Sequence, residues 1–457
     1  MSGPPSPLRD LKSRRGHLGG LETEYSPLRI FAWAALVGAG AGMVGAVFRI
    51  LVHGFAEERG ALLAPGGSRG VVSLLLSISA TALMTTLALF LVRRFAPEAG
   101  GSGVQEIEGA LDGVRPLRWQ RVLPIKFVSG LLALGGGMVL GREGPTIQIG
   151  GNFGKMIADL GRLPLAVERT LVAAGAGAGL SAAFNAPLAG IVFVLEEMRP
   201  QFKYTFTSVQ AVVIACATAD IAVRILTGQG PAISILTFDA PPLASLWLFP
   251  LFGAVFGLLG LAFARLLVWT LDRFDSLPGW AHHAVGPIVG GAIGLLAWRY
   301  PATVGSGDEL IPMVLALPMT AATLLLLFVV RFGTSAVSYG CGAPGGIFAP
   351  MLALGTLFGM AYGHSIHTLF PHLVSNPGVF AVAGIGALFT ATVRAPITAA
   401  FLAIEITANY EQILPLLLTC AAATIVAELL GSKPIYSVLL KRTLARNKAQ
   451  TSLRLSR

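Results

Sequence analysis

The hydrophobic positions of this chain are gathered into long runs, and most polar residues lie in the short segments between the runs. An apolar run of about 20 residues is long enough to cross the hydrocarbon core of a bilayer as a helix. Several runs are shorter, or are interrupted by glycine and proline, and these do not fit simple membrane-spanning helices. The pattern predicts an all-α polytopic membrane protein, with apolar segments near residues 28–57, 70–95, 121–140, 167–195, 208–227, 245–272, 283–299, 319–339, 345–370, 378–406 and 412–431.

The composition agrees with a membrane protein. Hydrophobic residues make up 54% of the chain, charged residues make up 12%, and the mean hydropathy is +0.73, whereas soluble domains contain about 25% charged residues. The net charge of +10 is not gathered into one basic patch, so nucleic acid is not expected as a partner. Positive residues stay on the cytoplasmic side of a membrane. Both termini, residues 1–27 and 441–457, are therefore predicted to be cytoplasmic because they carry Arg9, Lys12, Arg14, Arg15, Lys441, Arg442, Arg446, Lys448, Arg454 and Arg457.

No pattern for a metal, a disulfide or a cofactor emerges from the sequence. The three cysteines lie far apart within apolar runs, which predicts small buried side chains. The glycine-rich stretch at 175–180 resembles a nucleotide-binding pattern, but no alternation of strands and helices supports it. The first apolar run is long and lacks a cleavage signature, so it is interpreted as a membrane span and not as a signal peptide.

Three stretches of the first half recur in the second half in the same order. Their offsets are nearly constant, at 204, 205 and 209 residues, which indicates an internal duplication. The paired stretches are GSGVQEI at 101–107 with GSGDELI at 305–311, GREGPTIQIGGNFG at 141–154 with GIFAPMLALGTLFG at 346–359, and AGAGAGLSAAFNAPLAGIVFVLE at 174–196 with AGIGALFTATVRAPITAAFLAIE at 383–405.

The duplication predicts two transmembrane repeats, residues 28–230 and 245–440, joined by a linker at 231–244. Two cytoplasmic termini require an even number of crossings, so each half can contain an odd number and the second half is then inverted. The repeated pieces are the ones that glycine and proline interrupt. A short helix that starts inside the membrane leaves its first N–H groups without partners, and such helix ends bind anions. The repeats therefore indicate an anion site at their interface.

Five longer stretches resemble a known family: GSGVQEIEGAL, GREGPTIQIGGNFG, NAPLAGIVFVLEEMRPQF, GAPGGIFAPMLALG and GSKPIYSVLLKRTLA. They resemble the motifs of the CLC chloride channel and transporter family, and among its members the bacterial chloride/proton antiporters of the ClcA type, over residues 28–445. The resemblance implies an inverted-topology repeat of many tilted and discontinuous helices, with the anion site at the repeat interface. It implies a homodimer with one pore per subunit in the bacterial inner membrane, which transports chloride and protons without a cofactor. C-terminal CBS domains are not expected, because the chain ends soon after Tyr436.

Arg142 and Glu143 are an unusual pair for an apolar segment. An ionisable residue inside a membrane costs roughly 2.5–3.5 kcal/mol on insertion scales and indicates a function, although glutamate is favourable at any helix start. The second repeat has Ile347 and Phe348 at these places, so the scaffold does not require the charges. The resemblance implies that Glu143 is the gating glutamate. It competes with chloride and swings out when protonated, while Arg142 supports the outer vestibule or extends to the membrane surface.

Glu196 and Glu197 end an apolar run, where carboxylates could simply be solvated. Glu196 matches Glu405 of the second repeat, which predicts a shared structural role. Glu197 has no such counterpart, because Ile406 lies at its place. The resemblance implies that Glu197 is the internal proton-transfer glutamate, a feature of the exchangers and not of the family's channels.

The chloride-binding residues follow from the resemblance as well. It implies that the hydroxyls of Ser102 and Tyr436 and the backbone amides of Ile347 and Phe348 bind the central chloride. The amides of Gly144 and Ala349 would form an outer site. Without the resemblance, Ser102 could be an ordinary helix cap and Tyr436 an interfacial aromatic residue. Serine in this motif accompanies chloride preference in the family.

Two residues depart from the family pattern. The usual Gly-Ser-Gly-Ile-Pro is replaced here by a motif with Val104 and Gln105, and this loosens the helix start that proline would preorganise.

A passive anion channel of the same family is one alternative function, and Glu197 argues against it. An intramembrane enzyme is the other, but it would need a histidine beside Ser102, and none lies in a convincing apolar span.

Overall fold

A computed structural model describes residues 26–63, 70–198, 202, 204–230, 232–233 and 237–455, and this part of the chain is helical without strands. The basic residues predicted to mark the N-terminus, Arg9 to Arg15, lie outside it, as does Arg457. The first eight helices are α1 (Pro27–Leu63), α2 (Val71–Phe95), α3 (Val104–Leu111), α4 (Trp119–Gly135), α5 (Glu143–Leu160), α6 (Leu165–Phe184), α7 (Pro187–Glu196) and α8 (Phe206–Thr227).

The next eight helices follow the same order of long and short elements. They are α9 (Leu248–Asp275), α10 (Gly279–Arg299), α11 (Leu310–Ala316), α12 (Ala321–Gly340), α13 (Phe348–Leu369), α14 (Gly378–Val393), α15 (Pro396–Thr407) and α16 (Ile413–Leu429). A last helix, α17 (Ile435–Leu455), has no counterpart among the described residues of the first half. Residues from 441 onward, expected as a separate basic tail, continue α17 as far as Leu455.

Seven helical segments of the described chain are long and apolar enough to cross a membrane. They are Pro27–Gly60, Val71–Phe95, Phe206–Thr227, Leu243–Asp275, Gly279–Arg299, Ala321–Gly340 and Tyr410–Leu429. The helices α5, α6, α13 and α14 between them are almost wholly buried in protein. This is where broken helices are tolerated, because neighbouring protein can satisfy their free backbone groups. All three cysteines are buried, as predicted.

Two apolar segments predicted as continuous runs are each broken into two helices. The segment at 167–195 breaks after Asn185, and the segment at 378–406 breaks after Arg394. Both residues have a left-handed backbone, with φ of 51° and 78°, which ends a right-handed helix. Both are followed by alanine and then by proline, which starts the next helix at its first position (Pro187 and Pro396).

The two repeats contact each other through equivalent residues. Gly141 and its counterpart Gly346 form an antiparallel pair in which each N–H donates to the carbonyl of the other, at 2.8 and 2.7 Å. A reciprocal contact between equivalent residues is the result of a two-fold rotation that relates the repeats. The pair joins the loops in front of α5 and α13, so the starts of these two helices lie side by side.

A second reciprocal contact involves Glu196 and Glu405. The Glu405 carboxylate accepts hydrogen bonds from the N–H groups of Leu188 and Ala189 at the start of α7, at 3.0 and 2.7 Å. The Glu196 carboxylate accepts in the same way from two N–H groups at the start of α15, those of residues 397 and 398. Each short helix therefore has its free donors satisfied by the carboxylate at the end of the other. This is the shared structural role predicted for Glu196.

Glycines allow the buried helices to approach closely. A Cβ at Gly150 of α5 would lie 2.0 Å from the carbonyl oxygen of Gly175 of α6. The equivalent contact in the second repeat is as close, since a Cβ at Gly355 would lie 1.9 Å from the oxygen of Gly384. No side chain fits at these distances, so the small residues are required by helix packing.

We expect Gly150→Ala to destabilise the protein, because the added methyl group meets rigid backbone and not a flexible side chain. Overpacking of this kind costs on the order of 1–3 kcal/mol, which exceeds the gain of about 1 kcal/mol in helix propensity. Thermal unfolding in detergent, followed by size-exclusion chromatography, measures the change. The control is Gly54→Ala in α1, where a Cβ meets nothing within 4 Å. A Gly150→Ala variant as stable as the wild type would contradict this account of the packing.

Candidate functional site

Glu143 lies at the contact between the repeats and occupies the start of a helix in the other half. It is the first residue of α5 and is completely buried. Its Oε1 accepts hydrogen bonds from the backbone N–H groups of Phe348 and Ala349, at 2.7 and 3.1 Å. These are the first two N–H groups of α13, which have no partner within their own helix. An anionic side chain thus lies on a helix start that favours anions.

The space for this carboxylate exists because two neighbouring residues are glycine. A Cβ at Gly141 would lie 2.1 Å from Glu143 Oε2, and a Cβ at Gly346 would lie 2.5 Å from Oε1. Glu143 Oε2 is buried and has no hydrogen-bond partner in the described part of the protein. The carboxylate is therefore held through one oxygen only.

The other residues predicted to bind chloride converge on the same place. The Ser102 Oγ and Tyr436 Oη atoms are buried, and neither has a hydrogen-bond partner among the described residues. A Cβ at Gly144 would lie 2.7 Å from Ser102 Oγ, and the ring of Tyr436 lies 5.9 Å from that of Phe348. Two unpartnered hydroxyls in a buried site are available to an anion. Ile347 and Ala349, the other residues predicted to bind chloride through backbone amides, flank Phe348 and are buried with it.

Arg142 does not extend to the membrane surface. Its Nη1 lies 2.9 Å from Oδ2 of Asp308 in the loop before α11, and its Nε donates to the carbonyl of Ala183 at 3.0 Å. The guanidinium also lies over the ring of Phe184, 5.9 Å from its centroid. Arg142 therefore joins the loop before α5 to the second repeat and to the end of α6.

Glu197 lies at the end of α7, directly after Glu196, and its carboxylate interacts with that of Glu108 in α3. Glu108 was not predicted as a functional residue, although it is only 3% exposed. Two carboxylates at hydrogen-bond distance can share one proton. No sequence signal distinguishes Glu108 from Glu106, because both are glutamates of the same short segment.

Two fully buried cations were also missed. Lys126 Nζ donates to the carbonyls of Ala99 and Gly101, at 2.9 and 2.6 Å, and so holds the loop that carries Ser102. Arg331 donates to three carbonyls of the equivalent loop in the second repeat, those of residues 302, 304 and 305, at 2.8–2.9 Å. The two cations are 205 residues apart in the sequence, which is the offset of the repeat. That coincidence could have identified them.

Comparison with known proteins agrees with this geometry. The family model for the voltage gated chloride channel matches residues 84–428. The protein named "H(+)/Cl(-) exchange transporter ClcA" from Vibrio parahaemolyticus is 50% identical over 427 residues, which is 93% of this chain and 91% of the relative. The protein of the same name from Vibrio cholerae is 50% identical over 434 residues, which is 94% of this chain and 93% of the relative.

A solved structure is similar as well. The structure described as a slow cyanobacterial Cl⁻/H⁺ antiporter superimposes with a TM-score of 0.89 at 43% sequence identity, covering 92% of this chain and 99% of the other. The expected fold class is thereby confirmed, including the short helices that meet between the repeats. On the family model, the relatives and the fold together, this chain belongs to the voltage-gated chloride channel (CLC) family, on its bacterial branch.

Proposed function

We propose that this protein is a secondary active antiporter that exchanges chloride for protons across the bacterial inner membrane. The observation that carries the proposal is the Glu143 carboxylate bound to the N–H groups of Phe348 and Ala349. A carboxylate on an anion site is a competitor for the transported anion, and the competitor can itself carry a proton. The relatives named as H⁺/Cl⁻ exchange transporters support the same function.

Chloride binds in this proposal to neutral groups only. The donors are the hydroxyls of Ser102 and Tyr436 and the backbone amides at Ile347 and Phe348, with those of Gly144 and Ala349 nearer to the gate. Neutral donors can hold an anion without binding it so tightly that it cannot leave. Protonation of Glu143 removes its charge and frees the α13 amides for chloride. Deprotonation returns the carboxylate to them, so proton and chloride occupy the path in alternation.

Glu197 supplies protons from the internal side of the membrane, opposite to the Glu143 gate. It has no counterpart in the second repeat, where the equivalent residue is Ile406, and it adjoins the buried Glu108. A carboxylate pair can accept a proton from solvent and pass it on without exposing a full charge to the membrane interior. We assign the internal proton transfer to Glu197 and a supporting role to Glu108. Arg142 is assigned to the outer vestibule, where its charge attracts chloride and its bond to Asp308 fixes the gate loop.

The repeats in this proposal are residues 28–230 and 245–440, with both termini in the cytoplasm. The charged network of α17 fits a cytoplasmic terminus, because Arg442 and Arg446 pair with Asp272 and Asp275 at the end of α9.

We also propose a homodimer with one pore per subunit in the lipid bilayer. Helices α8 and α16 present apolar side chains that a second copy would cover, among them Ile221, Ile225, Ile425 and Leu429.

The purified protein in liposomes should pump protons when it is given a chloride gradient. Chloride flow is coupled to proton flow in an antiporter, so the chloride gradient can drive protons against the proton concentration gradient. A chloride electrode and a pH electrode in the same vessel measure both fluxes. Chloride flux without proton movement would overturn the antiporter and leave the passive anion channel in its place.

Glu197→Gln should retain chloride flux, while proton flux falls to background. Glutamine fills the same volume but cannot exchange a proton with Glu108 or with solvent. The control is Glu57→Gln, which changes an exposed carboxylate of α1 and should keep both fluxes coupled. Coupled transport by Glu197→Gln would contradict the assignment of the internal proton step.

Glu143→Gln should produce chloride flux that is uncoupled from protons and does not change with pH. The neutral amide imitates the protonated gate, so the N–H groups of Phe348 and Ala349 stay available to chloride at every pH. Flux is measured in liposomes from acidic to neutral pH, with Glu57→Gln, an exposed glutamate of α1, as the control. A variant whose chloride flux still depends steeply on pH would contradict the assignment of Glu143 as the gate.

A further inference from the structure

The helix α3 begins at the proposed chloride site and departs from the family motif at its second residue. Gly103 has a left-handed φ of 91° and turns the chain into the helix directly after Ser102. The next two residues are Val104 and Gln105, where the family motif that this stretch resembles has isoleucine and proline. Gln105 therefore departs from that motif.

The backbone of Gln105 offers a donor that proline would lack. The N–H groups of Glu106 and Ile107 both donate to the carbonyl of Gly103, at 3.1 and 3.3 Å. Within the described residues, the N–H groups of Val104 and Gln105 have no backbone acceptor, and no side chain caps the helix. Proline has no N–H, so the helix start has one more free donor here than in the family motif. Free N–H groups at a helix start favour an anion.

The side chain of Gln105 is buried and incompletely bonded. Gln105 is only 7% exposed, and its Oε1 has no partner among the described residues. Gln105 and Gly109 share one face of α3, since residues four apart are neighbours on a helix. On that face a Cβ at Gly109 would lie 2.8 Å from Leu440 Cδ1 of α17. Tyr436 lies one turn before Leu440, so the Gln105 face of α3 is directed towards the helix that carries Tyr436.

Three neutral polar atoms without partners among the described residues thus lie near the contact between α3 and α17: the hydroxyl oxygens of Ser102 and Tyr436 and Oε1 of Gln105. A carboxamide that rotates by 180° about its last torsion exchanges Oε1 for Nε2. The group can therefore present an N–H where an anion is bound and an oxygen where it is absent. A hydroxyl pair with a nearby amide matches chloride, which accepts hydrogen bonds from several directions.

We propose that Gln105 is an additional anion-binding residue of the chloride site, acting through its backbone N–H and its side-chain amide. The proposal rests on the chloride site assigned above to Ser102 and Tyr436. Its effect is on chloride affinity, because both donors are present whether or not Glu143 is protonated. Gln105 makes this chain bind chloride more tightly than the same chain with the family's proline.

The experiment titrates chloride into chloride-free protein in detergent and measures binding by isothermal titration calorimetry. Gln105→Pro removes both donors and should fold, because proline is tolerated in the first helical turn. Its Kd should rise by about three- to tenfold, since each neutral hydrogen bond contributes modestly. Gln105→Ala keeps the backbone N–H, so its Kd should rise less. The matched control is Glu309→Ala, the equivalent residue of the second repeat, whose side chain is 78% exposed.

Tyr436→Phe separates the two proposals. If both Gln105 variants bind chloride normally and Tyr436→Phe binds it weakly, the role of Gln105 is overturned and the chloride site stands. Normal binding by all three variants would overturn the chloride site itself. Thermal stability is compared in chloride-free buffer. If the Gln105 variants lose stability there in proportion to their loss of affinity, Gln105 has only a structural role, and the proposal is wrong.

Discussion

The hydrogen bonds from the N–H groups of Phe348 and Ala349 to the Glu143 carboxylate join the two halves of the protein at its centre. A buried carboxylate without donors would be strongly destabilising, since the desolvation penalty of an ion is several kcal/mol. A helix start supplies such donors without a cationic side chain. The same N–H groups can serve only one anion at a time. In the function proposed above, this geometry makes the carboxylate compete with chloride, and the coupling of proton to chloride depends on that competition.

The loops around this centre are held by charges that do not point into it. Lys126 and Arg331 are buried, yet both bond to backbone carbonyls of the loops before α3 and α11. Carbonyl oxygens satisfy a cation's hydrogen bonds and leave its net charge in place. The positive charge can then favour an anion from a distance, while the direct contacts stay neutral. Strong attraction with weak direct contacts is what a rapid transport site needs.

The sequence was sufficient for the scaffold because the scaffold is repeated. Matching GREGP to GIFAP separated the glycine and proline framework from Glu143, and matching Glu196 to Glu405 predicted a role that the structure shows as reciprocal helix capping. The positions of the breaks after Asn185 and Arg394 were not predicted, although the proline two residues after each marks the start of a new helix. Glu108 was missed because a single sequence does not say which side of a short helix faces the protein interior. Lys126 lies in a longer helix and is identified only when it is matched to Arg331, 205 residues later.

The pairing of Gly141 with Gly346 has a consequence for the number of acids that this contact can hold. In the alignment of the repeats, Glu143 corresponds to Phe348, so the carboxylate bonds to the backbone of its own counterpart. Two identical halves would place two carboxylates across one rotation axis, in a space where a Cβ added at Gly141 or Gly346 would already lie 2.1–2.5 Å from a Glu143 oxygen. The difference between the two copies leaves room for one acid. It also makes the two helix starts chemically different at a contact that is otherwise symmetric.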